Sequence, residues 1–205
     1  MSKENEKAQN SAEKAMTYKA MTARYKLAMK HGFLYEAMLH GQTILEDRLD
    51  AFLWAAGVIA EPDGTSLGNR RTRPLLTEII CKYTETAKPA PLRSIGGKTA
   101  AVRALLLFAN DTPAPEDRYL AALAEGLRAL DIDALLAVLA QIDNWRSYRN
   151  TLLHAAPNKD IYTVTEDLAH NAALVGDLAG ALNDAARALG RRTKIRLAAR
   201  MPKNK

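Results

Sequence analysis

The sequence predicts an all-α fold, a helical bundle with a loop-and-short-helix insertion, and three observations predict it. No stretch alternates polar and apolar residues over the length of a strand. β-Branched residues are sparse, and long segments carry apolar residues at alternating three- and four-residue steps, the mark of helices that bury one face. With 205 residues, 48% of them hydrophobic and 25% charged, the chain has the length and composition of a globular domain with one sizeable core.

Residues 3–30 are rich in Glu, Lys, Ala and Met, with few breakers. Ala15, Tyr18, Met21, Tyr25 and Ala28 fall at helical spacing, and Gly32 suits a C-terminal cap. Tyr18 and Tyr25 alternate with Lys19 and Lys26, a mixture that suits nucleic acid but fits a core stripe with charged flanks better. Residues 33–58 form the clearest amphipathic helix of the first half. Leu34, Met38, Gly41, Leu45, Leu49 and Phe52 make its seam, with Trp54 to one side; Gly41 permits a close approach by a neighbouring helix. Glu46, Asp47 and Asp50 place carboxylates on or beside that seam.

Residues 59–73 read as a loop ending in Arg70, Arg71 and Arg73. Pro74 suits the first turn of a helix running to about Thr86. Pro89, Pro91 and the pair Gly96–Gly97 mark another loop. Gly96-Gly97-Lys98-Thr99 has the outline of a phosphate-binding loop, but that pattern requires a glycine five residues before Gly97, where Leu92 stands. Ala100–Asn110 is a short apolar helix, Glu116–Leu130 the next. Residues 59–115 therefore read as the insertion between the main helices.

Asp131 can cap a long helix over 132–155, and Pro157 disfavours helix at Ala156. Leu135, Val138, Ile142, Trp145, Leu152 and Ala156 form its seam, so helix 33–58 is expected to pack against it. Arg149 stands in that seam where an apolar residue belongs. A buried guanidinium without a partner is strongly disfavoured, so a carboxylate, a second chain or a bound anion should meet it; Glu46 is the first candidate. The plainer account is an arginine that snorkels out near the helix end. Thr165 can cap a last long helix, Glu166–Leu189, with Gly190 as its stop.

The charge is unevenly placed. The chain carries 29 basic and 23 acidic side chains, a net +6. Residues 191–205 contribute +7 and residues 1–30 contribute +4, which leaves −5 for residues 31–190. The reading is a basic N-terminal helix (1–30), a bundle (31–190) and a basic, flexible tail (191–205). Arg191, Arg192, Lys194, Arg196 and Arg200 of the tail are candidate phosphate contacts. No apolar run approaches the ~20 residues that span a bilayer, and the polar N-terminus is no signal peptide, so no membrane association and a cytoplasmic location are expected. The lone Cys81 excludes an intramolecular disulfide and a cysteine zinc cluster; no cofactor or metal is predicted.

Arg149 is followed by Asn150 and, five residues on, by His154. This R-N-x-x-x-H string, near the end of a long bundle helix, resembles the signature of the HEPN superfamily, helical ribonucleases of toxin–antitoxin, abortive-infection and CRISPR systems. The motif spans six residues; the helical context extends the resemblance loosely over about residues 30 to 190. The resemblance implies a symmetric homodimer in which both motifs face one composite cleft. It also implies metal-independent endonucleolytic cleavage of RNA, with an antitoxin or other regulatory protein as a further partner. A tyrosine two residues beyond the histidine, present in some such toxins, is replaced here by Ala156.

The residue types fit that chemistry. Cleavage without a metal needs a proton taken from the ribose 2′-hydroxyl, a proton given to the leaving oxygen and charge stabilised at phosphorus. Histidine moves protons near neutrality, arginine matches phosphate bidentately, and asparagine orients either group. Arg146, one turn before Asn150, can add a second positive charge. At 3.6 residues per turn, five residues are roughly 500°, so Arg149 and His154 point about 140° apart. Arg149 must therefore reach around, or the helix must unwind before Pro157, or the two residues must serve across a dimer, and the dimer is the solution that the HEPN resemblance implies. The alternatives are a HEPN-like module that binds RNA or protein without cutting, and an unrelated helical adaptor.

Overall fold

The computed structural model describes residues 3–59, 65–155 and 167–200. Among them are eight helices and no strand, only one isolated bridge between Ile59 and Leu67. The helices are α1 (Lys3–His31), α2 (Leu34–Ala55), α3 (Thr72–Thr84), α4 (Ile95–Asp111), α5 (Arg118–Arg128), α6 (Ile132–Ala155), α7 (Leu168–Gly190) and α8 (Thr193–Arg200). No described helix is long and apolar enough to cross a membrane.

α1 ends as its sequence suggests. Gly32 takes φ +73°, and the Phe33 amide turns back to the Ala28 carbonyl at 2.9 Å, so the chain reverses directly into α2. Tyr25 and Ala28 are buried, and the Tyr25 hydroxyl donates to the Ala172 carbonyl of α7 at 2.7 Å. Tyr18 packs at the edge under the Arg48 guanidinium, 3.7 Å from its ring centre. These tyrosines are packing residues.

The two main seams lie close to where the pattern places them, although on α6 Leu139 is the fully buried residue and Val138 half-buried, and Ala156 lies outside the described residues; the seams are not partners along their length. α2 lies chiefly along α7, and α6 packs on α4 and α7. The reason is at Gly41: a Cβ there would stand 2.7 Å from Val175 Cγ2. The bare backbone thus lets α7 come closer than α6. The link from α2 to α6 is Trp145. It is 1% exposed, its ring edge lies beside Gly41, and its Nε1 donates to the Asn171 carbonyl of α7 at 3.0 Å.

The supposed insertion is core. α4 packs against α2, α3, α5 and α6, because Ala101, Val102, Ala104, Leu105, Leu106, Phe108 and Ala109 bury nearly its whole circumference. It also begins earlier than expected, at Ile95. Ser94 caps it by accepting the Gly97 amide at 3.2 Å. Gly96 and Gly97 are therefore a helical turn, held glycine by crowding: a Cβ on Gly97 would meet the Pro91 carbonyl oxygen at 2.1 Å. Lys98 points inward, 6% exposed, and donates to Asp50 Oδ2 of α2 at 2.7 Å.

Asp131 does cap α6, accepting the Ala134 amide at 3.0 Å. Thr165 lies outside the described residues; α7 begins at Leu168, after Asp167. The basic tail is a correction. Its described part is not a loose segment but α8, which buries Ile195, Ala198 and Ala199. Their spacing puts all three on one stripe, and that stripe packs on α5.

Candidate functional site

Where α2, α6 and the start of α4 converge, they enclose a cleft of about 310 Å³. Trp145 is its base. α6 contributes Arg146, Arg149 and Asn150, α2 contributes Gln42 and Glu46, and Arg93 to Gly96 form the third wall. Four of the five catalytic and supporting residues read from the sequence thus meet in one place: Arg149, Asn150, Arg146 and Glu46. His154 is the exception. It is exposed on the last turn of α6 and is not part of the cleft wall.

Arg149 lies between Trp145 and Leu152, both 1% exposed. It fills the seam position and aims into the cleft. Glu46 is not its counter-ion: no carboxylate among the described residues forms an ion pair with Arg149. Glu46 instead accepts the Gln42 side-chain amide at 2.9 Å. Arg149 Nη1 donates to Asn150 Oδ1 at 3.1 Å, while its Nε is buried with no hydrogen-bond partner among the described residues. The bond engages the Asn150 oxygen and leaves that residue's amide protons to offer to a ligand.

Arg146 lies flat on the start of α4. A Cβ at Gly96 would sit 1.6 Å from Arg146 Nη1, so only glycine admits the guanidinium there. Its nearest carboxylate is Asp143, 3.8 Å away, and Asp143 is already the acceptor of a 2.6 Å bond from Arg103. Arg93 is exposed at the rim and makes no hydrogen bond or ion pair among the described residues. The lining therefore holds three guanidiniums, one carboxylate and the positive end of a 17-residue helix. Like charges crowded this way repel one another unless an anion enters. Guanidiniums beside a helix N-terminus are chemically suited to a phosphate or a similar oxyanion.

Arg93, Ser94, Gly96 and Gln42 are absent from the sequence-based set. The signal was Ser94 itself, an N-cap residue ahead of the apolar α4, hidden because the glycine pair after it suggests a loop. Two further carboxylates of α2 have different work: Asp47 pairs with Arg48 at 2.8 Å, Asp50 with Lys98. His40 lies 3.6 Å from Glu36, a local contact within α2. Among the described residues, no group of three or more His, Cys, Asp or Glu side chains is placed to hold a metal ion.

The tail cations divide. Arg191, Arg192, Lys194 and Arg200 are exposed. Arg196 is not free: its guanidinium stacks 3.6 Å over the Trp54 ring, and burial, with Arg200 nearby, lowers its pKa. It fastens α8 to α2. Comparison with protein-family models, with curated proteins and with solved structures found no match.

Proposed function

We propose that this protein is an endoribonuclease of the HEPN type that cleaves RNA without a metal, as a homodimer, within a toxin–antitoxin or anti-phage defence system. The observation that carries the reading is the Arg149 guanidinium, which has no ion pair among the described residues and lines a cleft beside Asn150, on the helix that also carries His154. In this reading Arg149 holds the scissile phosphate and Asn150 donates to one of its oxygens. His154, supplied across the dimer, moves the proton. The 2′-oxygen bonds to phosphorus as its proton leaves, the P–O5′ bond breaks, and the 5′-oxygen takes up a proton. The products are a 2′,3′-cyclic phosphate and a 5′-hydroxyl end.

The test is purified protein with structured and unstructured RNAs, in EDTA. His154→Ala should lower cleavage by ~10²–10⁴-fold without unfolding the protein, because the residue is exposed at a helix end. Arg149→Ala should cost a comparable factor. Cleavage that survives His154→Ala, or that requires added metal, rejects the mechanism. One observation favours a second reading, a module that binds RNA without cutting: within a single chain His154 stands outside the cleft. Binding that depends on Arg149, with no cleavage by the dimer or with a partner protein, selects that reading.

A further inference from the structure

The cleft has more positive charge than one scissile phosphodiester needs, and the excess lies on the wall that the R-N-x-x-x-H motif does not explain. Arg93 stands at the rim with no partner among the described residues. Arg146 is laid over the bare backbone of Gly96, where a Cβ would stand 1.6 Å from its Nη1. Beneath them is the N-terminus of α4, with the Ser94 side chain turned inward to Gly97. The nearest acid, Asp143, is shared with Arg103, and the one carboxylate lining the cleft, Glu46, belongs to the α2 side and to Gln42. Arg146 is thus held against a helix's positive end, and Arg93 stands exposed on the same wall. A phosphodiester, with a single charge, would leave part of that charge uncompensated. A phosphate monoester carries about −1.5 to −2 at neutral pH and three acceptor oxygens, which match two guanidiniums and a helix terminus.

We propose that the α4 wall of the cleft is a subsite for a phosphate monoester, the terminal phosphate of an RNA strand or of a nucleotide. The proposal deepens the ribonuclease reading and rests on it only for the strand, not for the phosphate. Arg93 and Arg146 clamp the oxygens, and the α4 amides stabilise the charge. Gly96 is the residue that lets Arg146 reach the position. Arg149 and Asn150, on the motif side, remain for the phosphate that is cut.

The experiment is titration of the full chain, in EDTA and at mildly alkaline pH, with inorganic phosphate and with dimethyl phosphate. Three oligonucleotides of one sequence follow, bearing a 5′-phosphate, a 3′-phosphate or neither, and then a nucleoside monophosphate. Inorganic phosphate should bind roughly tenfold or more tightly than dimethyl phosphate, the difference that one or two charge-assisted hydrogen bonds make. Arg93→Ala should remove most of that preference. Gly96→Ala is the second probe: its methyl displaces the far end of a flexible side chain and suits a helix, so the thermal midpoint should hold while phosphate affinity falls by a similar factor. A preference for one phosphorylated oligonucleotide identifies an RNA end as the source. A tight mononucleotide with no difference among the oligonucleotides identifies a nucleotide, and the subsite stands in either case. Equal affinity for phosphate and dimethyl phosphate, or unchanged affinity in both variants, overturns the subsite. If cleavage still depends on His154 in that event, the ribonuclease reading survives alone. If phosphate binds as described and RNA is never cut, the subsite survives without it.

Discussion

A charged side chain on a buried face has to find its opposite, and Lys98 and Arg149 show different outcomes. Lys98 has found Asp50 at 2.7 Å, with both side chains largely out of water. Among the described residues Arg149 has found no acid, only the side-chain oxygen of its neighbour Asn150. The first is a structural pair; the second is a half-buried guanidinium whose Nε has no partner among the described residues, the feature on which the proposed function rests. Asp50→Ala should therefore destabilise the fold by about 3–5 kcal/mol, the usual cost of stranding a buried charge. A double variant with Lys98→Met should recover much of it, and urea unfolding of the three proteins checks both numbers. A loss below about 1 kcal/mol would show that Lys98 escapes to water. Arg149 was legible in the sequence because it interrupts a regular seam. Lys98 was not, because the glycines before it read as a loop, and its burial depends on a helix start that only the Ser94 cap discloses.

At the scale of elements, periodicity located most helices to within a few residues but misjudged two roles. α4 was read as part of an insertion, although its apolar residues surround the helix, a pattern that belongs in the middle of a bundle. α8 was read as loose tail because seven basic side chains in residues 191–205 mask the narrow stripe of Ile195, Ala198 and Ala199. What holds α8 lies far away in sequence. Arg71 donates to the Ala198 carbonyl at 2.6 Å and Asn69 to that of Ala199 at 2.8 Å, satisfying the open end of the helix. Arg71 also pairs with Asp117 at 3.0 Å, and Asp117 caps α5 through the Tyr119 and Leu120 amides. Burial pushes the Asp117 carboxyl up, but the Leu120 amide, Arg71 and the Tyr119 amide together outweigh it and hold the group below its ordinary value of 3.8. A carboxyl depressed in the folded state stabilises above its unfolded pKa, and that contribution is lost as pH falls through the folded value. Thermal stability should thus fall on acidification below about pH 4, and Asp117→Asn should make that limb shallower. Asp117→Ala should cost about 1–2 kcal/mol at neutral pH through the lost cap. An acid limb identical in wild type and Asp117→Asn would show that this junction does not control it.

At the scale of the molecule, sequence periodicity sets which face of a helix is buried but not which neighbour buries it. α2 chose α7 because Gly41 and Val175 interlock, a detail of shape that two matching seams do not disclose. The same limit applies to the site. The cleft and three of its α6 residues follow from one chain, while His154 faces outward on the same helix. In the homodimer proposed above, a second protomer related by two-fold symmetry supplies a His154 to each cleft. Arg149→Ala and His154→Ala should each be inactive alone and regain activity when mixed. Each heterodimer then holds one complete site, Arg149 from one chain and His154 from the other. With free subunit exchange, half the dimers are mixed and each has one of its two sites intact, so recovery should approach roughly a quarter of wild type. Light scattering at the assay concentration should show a dimer for all three proteins. A dimer whose mixed variants stay inactive would place both groups of each site on the same chain. A monomer that cleaves RNA would remove the need for a partner, and the outward His154 would then have to reach the cleft by unwinding the last turn of α6.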